Sequence, residues 1–171
     1  MELIHALRSN GAVRSFTDRP VDDATLSAVL DTARFAPSGG NRQPWRVAIV
    51  RDLDTRREIG GLMRTVWEEY VGANATGVTA FAFGRSIDAP SIAAPNALLD
   101  EIETVPVVLA IAADLRHIAM MDGNLERPPV TGGASIYPFT WNLLLAARAE
   151  GLGGVITTML IREETAVKEL L

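Results

Sequence analysis

Apolar residues recur at intervals of three and four along several stretches of the chain, and in others they run together. Over residues 2–8, Leu3, Ile4 and Leu7 share one face, and Asn10 with Gly11 reads as a helix stop. Asp22 or Asp23 can cap a second helix, whose inward face carries Leu26, Val29, Leu30 and Ala33 and which must end before Pro37. A third helix is predicted over 55–70, with Ile59, Leu62, Met63, Val66, Trp67 and Tyr70 on its apolar side. A fourth runs over 134–150, interrupted near its start by Pro138 and closed by Gly151; Leu143, Leu144, Ala146 and Ala147 make its later turns apolar around much of the circumference. A last helix begins at Arg162 or Glu163.

Three stretches read as strands. Residues 45–50 are rich in β-formers, 105–112 form a nearly unbroken apolar run expected to be buried on both faces, and 153–161 are β-branched. Residues 72–100 lack clean periodicity and are loaded with Ala, Gly, Pro and Asn; a short strand or a piece of a lid over 78–83 is the most that can be assigned there. No internal repeat or low-complexity tract divides the chain, and 171 residues suit one domain over 1–171 with a variable, lid-like segment at about 72–100.

Composition narrows the function classes. The 16 basic and 21 acidic residues give a net charge of -5, which opposes broad affinity for nucleic acid or an anionic membrane surface. With no cysteine, disulfides, thiolate metal sites and cysteine nucleophiles are excluded, and a cytoplasmic location is expected. The first eleven residues lack the apolar core of a signal peptide, and no apolar run is long enough to span a bilayer. The chain stops on Leu170 and Leu171, an apolar pair that leads one to expect further chain or a covering partner.

Candidate chemistry lies in three segments. In residues 10–16, Arg14 follows a helix end and can bind an anion through parallel N–H groups, although a surface salt bridge would equally use it. In 36–45, Gly39 and Gly40 allow close backbone approach, and Ser38, Asn41 and Gln43 offer donors and acceptors suited to a heterocycle edge; a plain turn would have the same composition. In 151–158, small residues enter a strand and could admit a flat ring, while close helix-to-sheet packing explains the glycines equally well. No acid–base pair or metal constellation joins these segments, and His5 and His117 read as solvated or capping residues. Trp67 and Tyr70 read as packing residues, with Phe81 and Phe83 able to line an entrance; Arg51, Arg56 and Arg57 read as a solvated helix start, and Trp141 as core or interface.

In combination the segments resemble the FMN-dependent nitroreductase family. The match comprises Val13-Arg14-Ser15-Phe16 with Pro20-Val21, then Ala36-Pro37-Ser38-Gly39-Gly40-Asn41-Arg42-Gln43-Pro44-Trp45. It continues with Gly133-Ala134-Ser135, Asn142-Leu143-Leu144-Leu145-Ala146-Ala147 and Gly151-Leu152-Gly153. The resemblance implies an α+β three-layer sandwich with a central, mostly antiparallel sheet flanked by helices, in a homodimer whose two chains share each FMN site. It implies that Arg14 meets the ribityl phosphate region, that Pro37, Ser38, Gly39 and Asn41 approach the flavin from the partner subunit, and that Ile156, Thr157 and Thr158 lie beside the ring. Gln43 and Ser135 are implied as neighbours or supports of the cofactor. No residue is nominated as a catalytic acid or base, and no metal is expected. The resemblance further implies that NADH or NADPH delivers hydride to flavin N5 before a nitroaromatic, quinone or related acceptor takes it in turn. A flavin-sequestering protein with little turnover is the alternative, and a dehalogenase or flavin-fragmenting relative is a third reading. Two departures stand out: Asn10, Gly11 and Ala12 occupy positions where the family commonly carries another basic or polar residue, and the family's C-terminal arm is expected to be absent after Leu171.

Overall fold

Four aspartate or asparagine caps mark where local sequence dictates structure. Asp22 accepts from the Thr25 N–H at 2.7 Å and opens α2 (Asp23–Ala33), and Asp52 accepts from the Thr55 N–H at 2.8 Å and opens α3 (Leu53–Ala75). Asn96 caps the short α4 (Ala97–Asp100), and Asp114 caps the turn that follows β2. The computed structural model describes residues 2–77, 79–81 and 90–171. Its remaining elements are α1 (Leu3–Ser9), β1 (Trp45–Val50), β2 (Val108–Ala113), α5 (Tyr137–Ala149) and α6 (Glu164–Leu170). The chain is of the α+β class.

The contacts divide the chain into two compact units, residues 1–49 with 109–156 and residues 50–108 with 157–171. The first unit is organised by α5 packed on α2. Val29, Ala33, Ala36, Trp45, Phe139, Leu143 and Ala146 form its buried cluster, and the Trp45 and Phe139 rings stack at 4.6 Å with an interplanar angle of 7°. β1 and β2 pair as a two-stranded sheet among the described residues. The Asp114 N–H just past β2 donates to the Pro44 carbonyl just before β1, so the start of one strand meets the end of the other and the pair is antiparallel.

In the second unit, Ile59, Met63 and Val66 of α3 are buried, as are Leu98, Leu99, Ile102 and Val105. Gly60 leaves room for the Ile102 side chain, which would lie 2.8 Å from a Cβ at that position. Residues 90–96 are tied to α3: the Ile92 N–H donates to the Glu68 carbonyl, and both Trp67 Nε1 and Arg64 donate to the Ala94 carbonyl.

Several expectations require correction. β2 is only half-buried over Val108–Ile111 and exposed at Ala112 and Ala113; among the described residues β1 is its one strand neighbour, which covers a single edge. Residues 153–161 do not form a strand: a single parallel bridge joins Ala12 to Gly154, and the chain then turns into a 3₁₀ segment, Met159–Glu163. Without a continuous partner, β-branched composition alone does not make a strand. Pro138 does not interrupt its helix; it occupies the first turn of α5, where the missing N–H costs nothing. Within 72–100, residues 72–75 complete α3 and 97–100 form α4, whereas most of the strand or lid expected over 78–83, Phe83 included, lies outside the described residues. Arg56 is not solvated. Its side chain is buried and donates to the carbonyls of Val50 (3.1 Å), Glu103 (3.3 Å) and Val105 (2.8 Å).

Candidate functional site

Two glycines bring the residues of the first candidate cleft together. A Cβ at Gly153 would lie 2.8 Å from Val13 Cγ2, and one at Gly154 would lie 2.7 Å from Leu144 Cδ2. Without those carbons, the segment after α1 lies against the segment after α5, and the Val13 N–H donates to the Gly154 carbonyl at 3.1 Å. Arg148 Nε donates to Ser9 Oγ and tethers the end of α1 to α5. The resulting cleft of about 220 Å³ is lined by Asn10, Gly11, Ala12, Arg14, Trp141, Leu144, Val155 and Ile156.

The cleft is lined by polar and apolar side chains. Arg14 is exposed, and its guanidinium donates to the Ala12 carbonyl at 3.3 Å, with no carboxylate partner among the described residues. Asn10 Nδ2 is buried and has no acceptor among the described residues, an arrangement that costs free energy unless a ligand or water supplies one. Trp141, Leu144, Val155 and Ile156 supply the apolar surface. The lining therefore suits a ligand that has both an apolar surface and an anionic group.

A second cluster forms on the loop between α2 and β1. The Gly39 N–H donates to the buried Ser135 Oγ at 3.1 Å, and the Gln43 N–H donates to Ser38 Oγ at 3.0 Å. Gln43 Nε2 reaches back to the Arg34 carbonyl at 3.4 Å. Gly40, Asn41 and Gln43 all have positive φ, of 60°, 53° and 47°. Two non-glycine residues in that region within three positions store backbone strain, which the bonds to Ser38 and Ser135 hold in place. Pro37, Gly39, Asn41 and Gln43 are exposed.

The candidate residues thus fall into groups. Arg14 and Ile156 line the cleft; Ser38, Gly39, Gln43 and Ser135 are joined by hydrogen bonds in the loop cluster, with Pro37 and Asn41 on the same loop, and none of these six lines the cleft. Thr157 and Thr158 belong to the second unit and are exposed there, Thr157 Oγ1 accepting from the Met159 N–H. Trp141, read from sequence as core or interface, is 41% exposed and lines the cleft. Asn10, read as a helix stop, lines the cleft and has a buried, unpartnered Nδ2. Nothing in the order of residues distinguishes these two from an ordinary cap and an ordinary helix residue.

Two carboxylates anchor loops nearby in the chain. Asp122 is buried and accepts from Thr131 Oγ1, from the Val130 and Thr131 N–H groups and from Arg127, all of which hold its carboxyl well below the usual range. Asp114 accepts two bonds from Arg116, at 2.9 and 2.8 Å, and one contact from His117 Nδ1 at 3.1 Å; Arg116 is the main cause of its lowered pKa. His117 is therefore a neighbour of a carboxylate, and no cluster of metal-ligating residues occurs among the described residues. No helix among them is long and apolar enough to cross a membrane.

Comparison with known proteins gives this architecture its class. The model of the nitroreductase family matches residues 7–171, so the chain belongs to the nitroreductase family. A protein of Archaeoglobus fulgidus described as an NADH dehydrogenase/NAD(P)H nitroreductase is 27% identical to the whole chain, which spans 75% of that relative. The 5,6-dimethylbenzimidazole synthase of Rhodobacter capsulatus is 31% identical over 99% of the chain and 75% of its own length. The fold is similar to that of the NADPH:FMN oxidoreductase of Vibrio harveyi, solved with NAD+, at a TM-score of 0.65 and 20% identity; the match covers 98% of this chain and 60% of that one.

Proposed function

We propose that the chain is an FMN-binding, NAD(P)H-dependent oxidoreductase, in which the cleft between residues 10–14 and 155–156 receives the cofactor. The observation that carries the reading is the pairing of Arg14, a cation without a carboxylate partner among the described residues, with the buried and unpartnered Asn10 Nδ2 in one cleft. Arg14 would hold the phosphate end through charge-assisted hydrogen bonds, with Asn10 adding a neutral donor. Trp141, Leu144 and Ile156 would exclude water from the adjoining surface. Bound there, FMN supplies the relay of hydride between a reduced nicotinamide and an acceptor such as a nitroaromatic or quinone.

The reading includes a second copy of the chain. Ser38, Gly39, Asn41 and Gln43 form an ordered, strained loop that does not line the cleft of its own chain, which suits delivery to a partner's cleft. Leu3, Ile4 and Leu7 are 65%, 60% and 41% exposed along α1, and Tyr137 and Ile156 are exposed as well, an apolar surface that a second copy would cover. The helix predicted at the amino terminus is present, yet only Ala6 of it is buried within the chain.

The test is the visible absorption spectrum of the purified protein, recorded before and after anaerobic addition of NADH and then NADPH. A flavin spectrum that bleaches supports the reading. No flavin after reconstitution with FMN overturns it, and stoichiometric FMN that neither nicotinamide reduces makes the protein a flavin carrier.

A further inference from the structure

The cations gathered on Asp114 outnumber what that carboxylate can use. Arg116 alone satisfies it with two short bonds, and the Asp114 side chain is nine-tenths buried. Arg46 nevertheless stands with Nη2 3.8 Å from the same carboxylate, too far for a hydrogen bond, and it is held there by donating to the carbonyls of Gln43 (3.3 Å) and Trp45 (2.8 Å). His117 closes the group. Two guanidiniums against one carboxylate leave a net positive charge whatever the state of His117, on a chain whose overall charge is -5. Both arginines are exposed, so their unused N–H groups can meet a ligand, and Arg46 is bonded directly to the loop that carries Gln43.

A carboxylate ligand would duplicate what Asp114 already provides. A phosphomonoester carries about -1.5 to -2 charges at neutral pH, with three acceptor oxygens, and matches a pair of guanidiniums in both charge and geometry. The two nicotinamide reductants differ by one such group, the 2′-phosphate of NADPH. The geometry points to Arg46 and Arg116 as a binding site for that 2′-phosphate, which makes NADPH the preferred reductant. This inference rests on the oxidoreductase reading for its source of phosphate, while the site itself can be tested without turnover.

Two measurements separate the possibilities. Whole protein is titrated with adenosine 2′-monophosphate, adenosine and inorganic phosphate while the arginine Nε–H resonances are followed by NMR. In parallel, kcat/KM is measured with NADPH and NADH at low salt for wild type and for the double variant R46Q/R116Q, whose folding is checked by circular dichroism. The expected result is a saturable shift of the Arg46 and Arg116 signals with adenosine 2′-monophosphate and not with adenosine. With it comes a preference for NADPH that falls about tenfold, or 1.4 kcal/mol, in the double variant. Equal response to adenosine overturns the site, as does an unaltered preference in a folded double variant. Inorganic phosphate binding as tightly as adenosine 2′-monophosphate makes it a free-anion site and overturns its assignment to NADPH. If neither nicotinamide reduces the protein but adenosine 2′-monophosphate still shifts both arginines, the oxidoreductase reading fails and the phosphomonoester site stands.

Discussion

Replacing Arg56 by methionine isolates the contribution of one buried cation. The native guanidinium bonds to three carbonyls, and the two bonds to Val50 and Val105 are buried whereas that to Glu103 is partly open to water. Methionine keeps an unbranched apolar stem, so the cavity left is small and the main loss is that of the donors. Each buried carbonyl stranded without a donor costs roughly 1–3 kcal/mol, so two cost about 2–6 kcal/mol. Water entering beside Glu103 reduces this, and a loss of about 3 kcal/mol is expected, a large part of the roughly 5–15 kcal/mol that separates folded from unfolded chains. With a urea slope of about 2 kcal/mol per molar, the midpoint should fall by about 1.5 M. Equilibrium urea unfolding of wild type, R56M and R56K checks this, the lysine variant falling between the other two because one ammonium can serve some of the carbonyls. A methionine variant within about 0.5 kcal/mol of wild type, the range of ordinary surface substitutions, would refute the assignment of Arg56 as an internal clamp.

The other expectations follow from single contacts. Asp122 has its carboxyl held below its value in the unfolded chain, so it contributes stability that is fully present above about pH 4 and is lost as the pH falls through the lowered folded value. Acid titration of thermal stability should accordingly be shallower below about pH 4 in D122N than in wild type, and parallel curves would show that Asp122 is not a native-state acceptor. G72A should destabilise by about 1–3 kcal/mol, because a methyl there meets the Pro90 backbone carbonyl, which cannot rotate away; thermal melts check it. G61A, in the same helix with open space at its Cβ, should instead stabilise by roughly 0.5–1 kcal/mol, and equal behaviour of the two variants would contradict the close approach at Gly72. R14A should lower FMN occupancy in purified protein at least tenfold at limiting FMN, with N10L lowering it less, since a charged donor contributes more than a neutral one; full occupancy in R14A would remove it from the cofactor site.

What could be read from the sequence was what neighbours along the chain decide. Asp22 and the apolar residues that follow at three and four place the start of α2 to within a residue, and the 45–50 strand and the Gly151 stop are likewise local. The failures concern partners distant in sequence. Arg51, Arg56 and Arg57 look alike in their heptad, and only the return of the Glu103 and Val105 carbonyls decides which one is buried. Residues 153–161 have β-forming side chains, but a strand needs a continuous neighbour and Ala12 offers a single bridge.

The candidate site shows the same division. Motif order nominated Arg14 and the loop from Pro37 to Gln43, because an exposed cation after a helix and paired glycines have local signatures. It could not find Asn10 as a donor, since an asparagine that ends a helix normally spends its side chain on backbone. Only in the folded chain is its Nδ2 buried and idle. On the proposed reading that donor, with Arg14, would be what the chain offers to the phosphate. If the phosphate is held by one guanidinium and one carboxamide, screening by salt should weaken cofactor retention less steeply than in a relative with two cations, because one charge pair rather than two is screened. Retention of FMN on dialysis at about 0.01, 0.1 and 1 M salt, where the Debye length is about 30, 10 and 3 Å, measures this directly. A slope as steep as that of a two-cation relative would mean that another cation reaches the phosphate and that Asn10 is spectator.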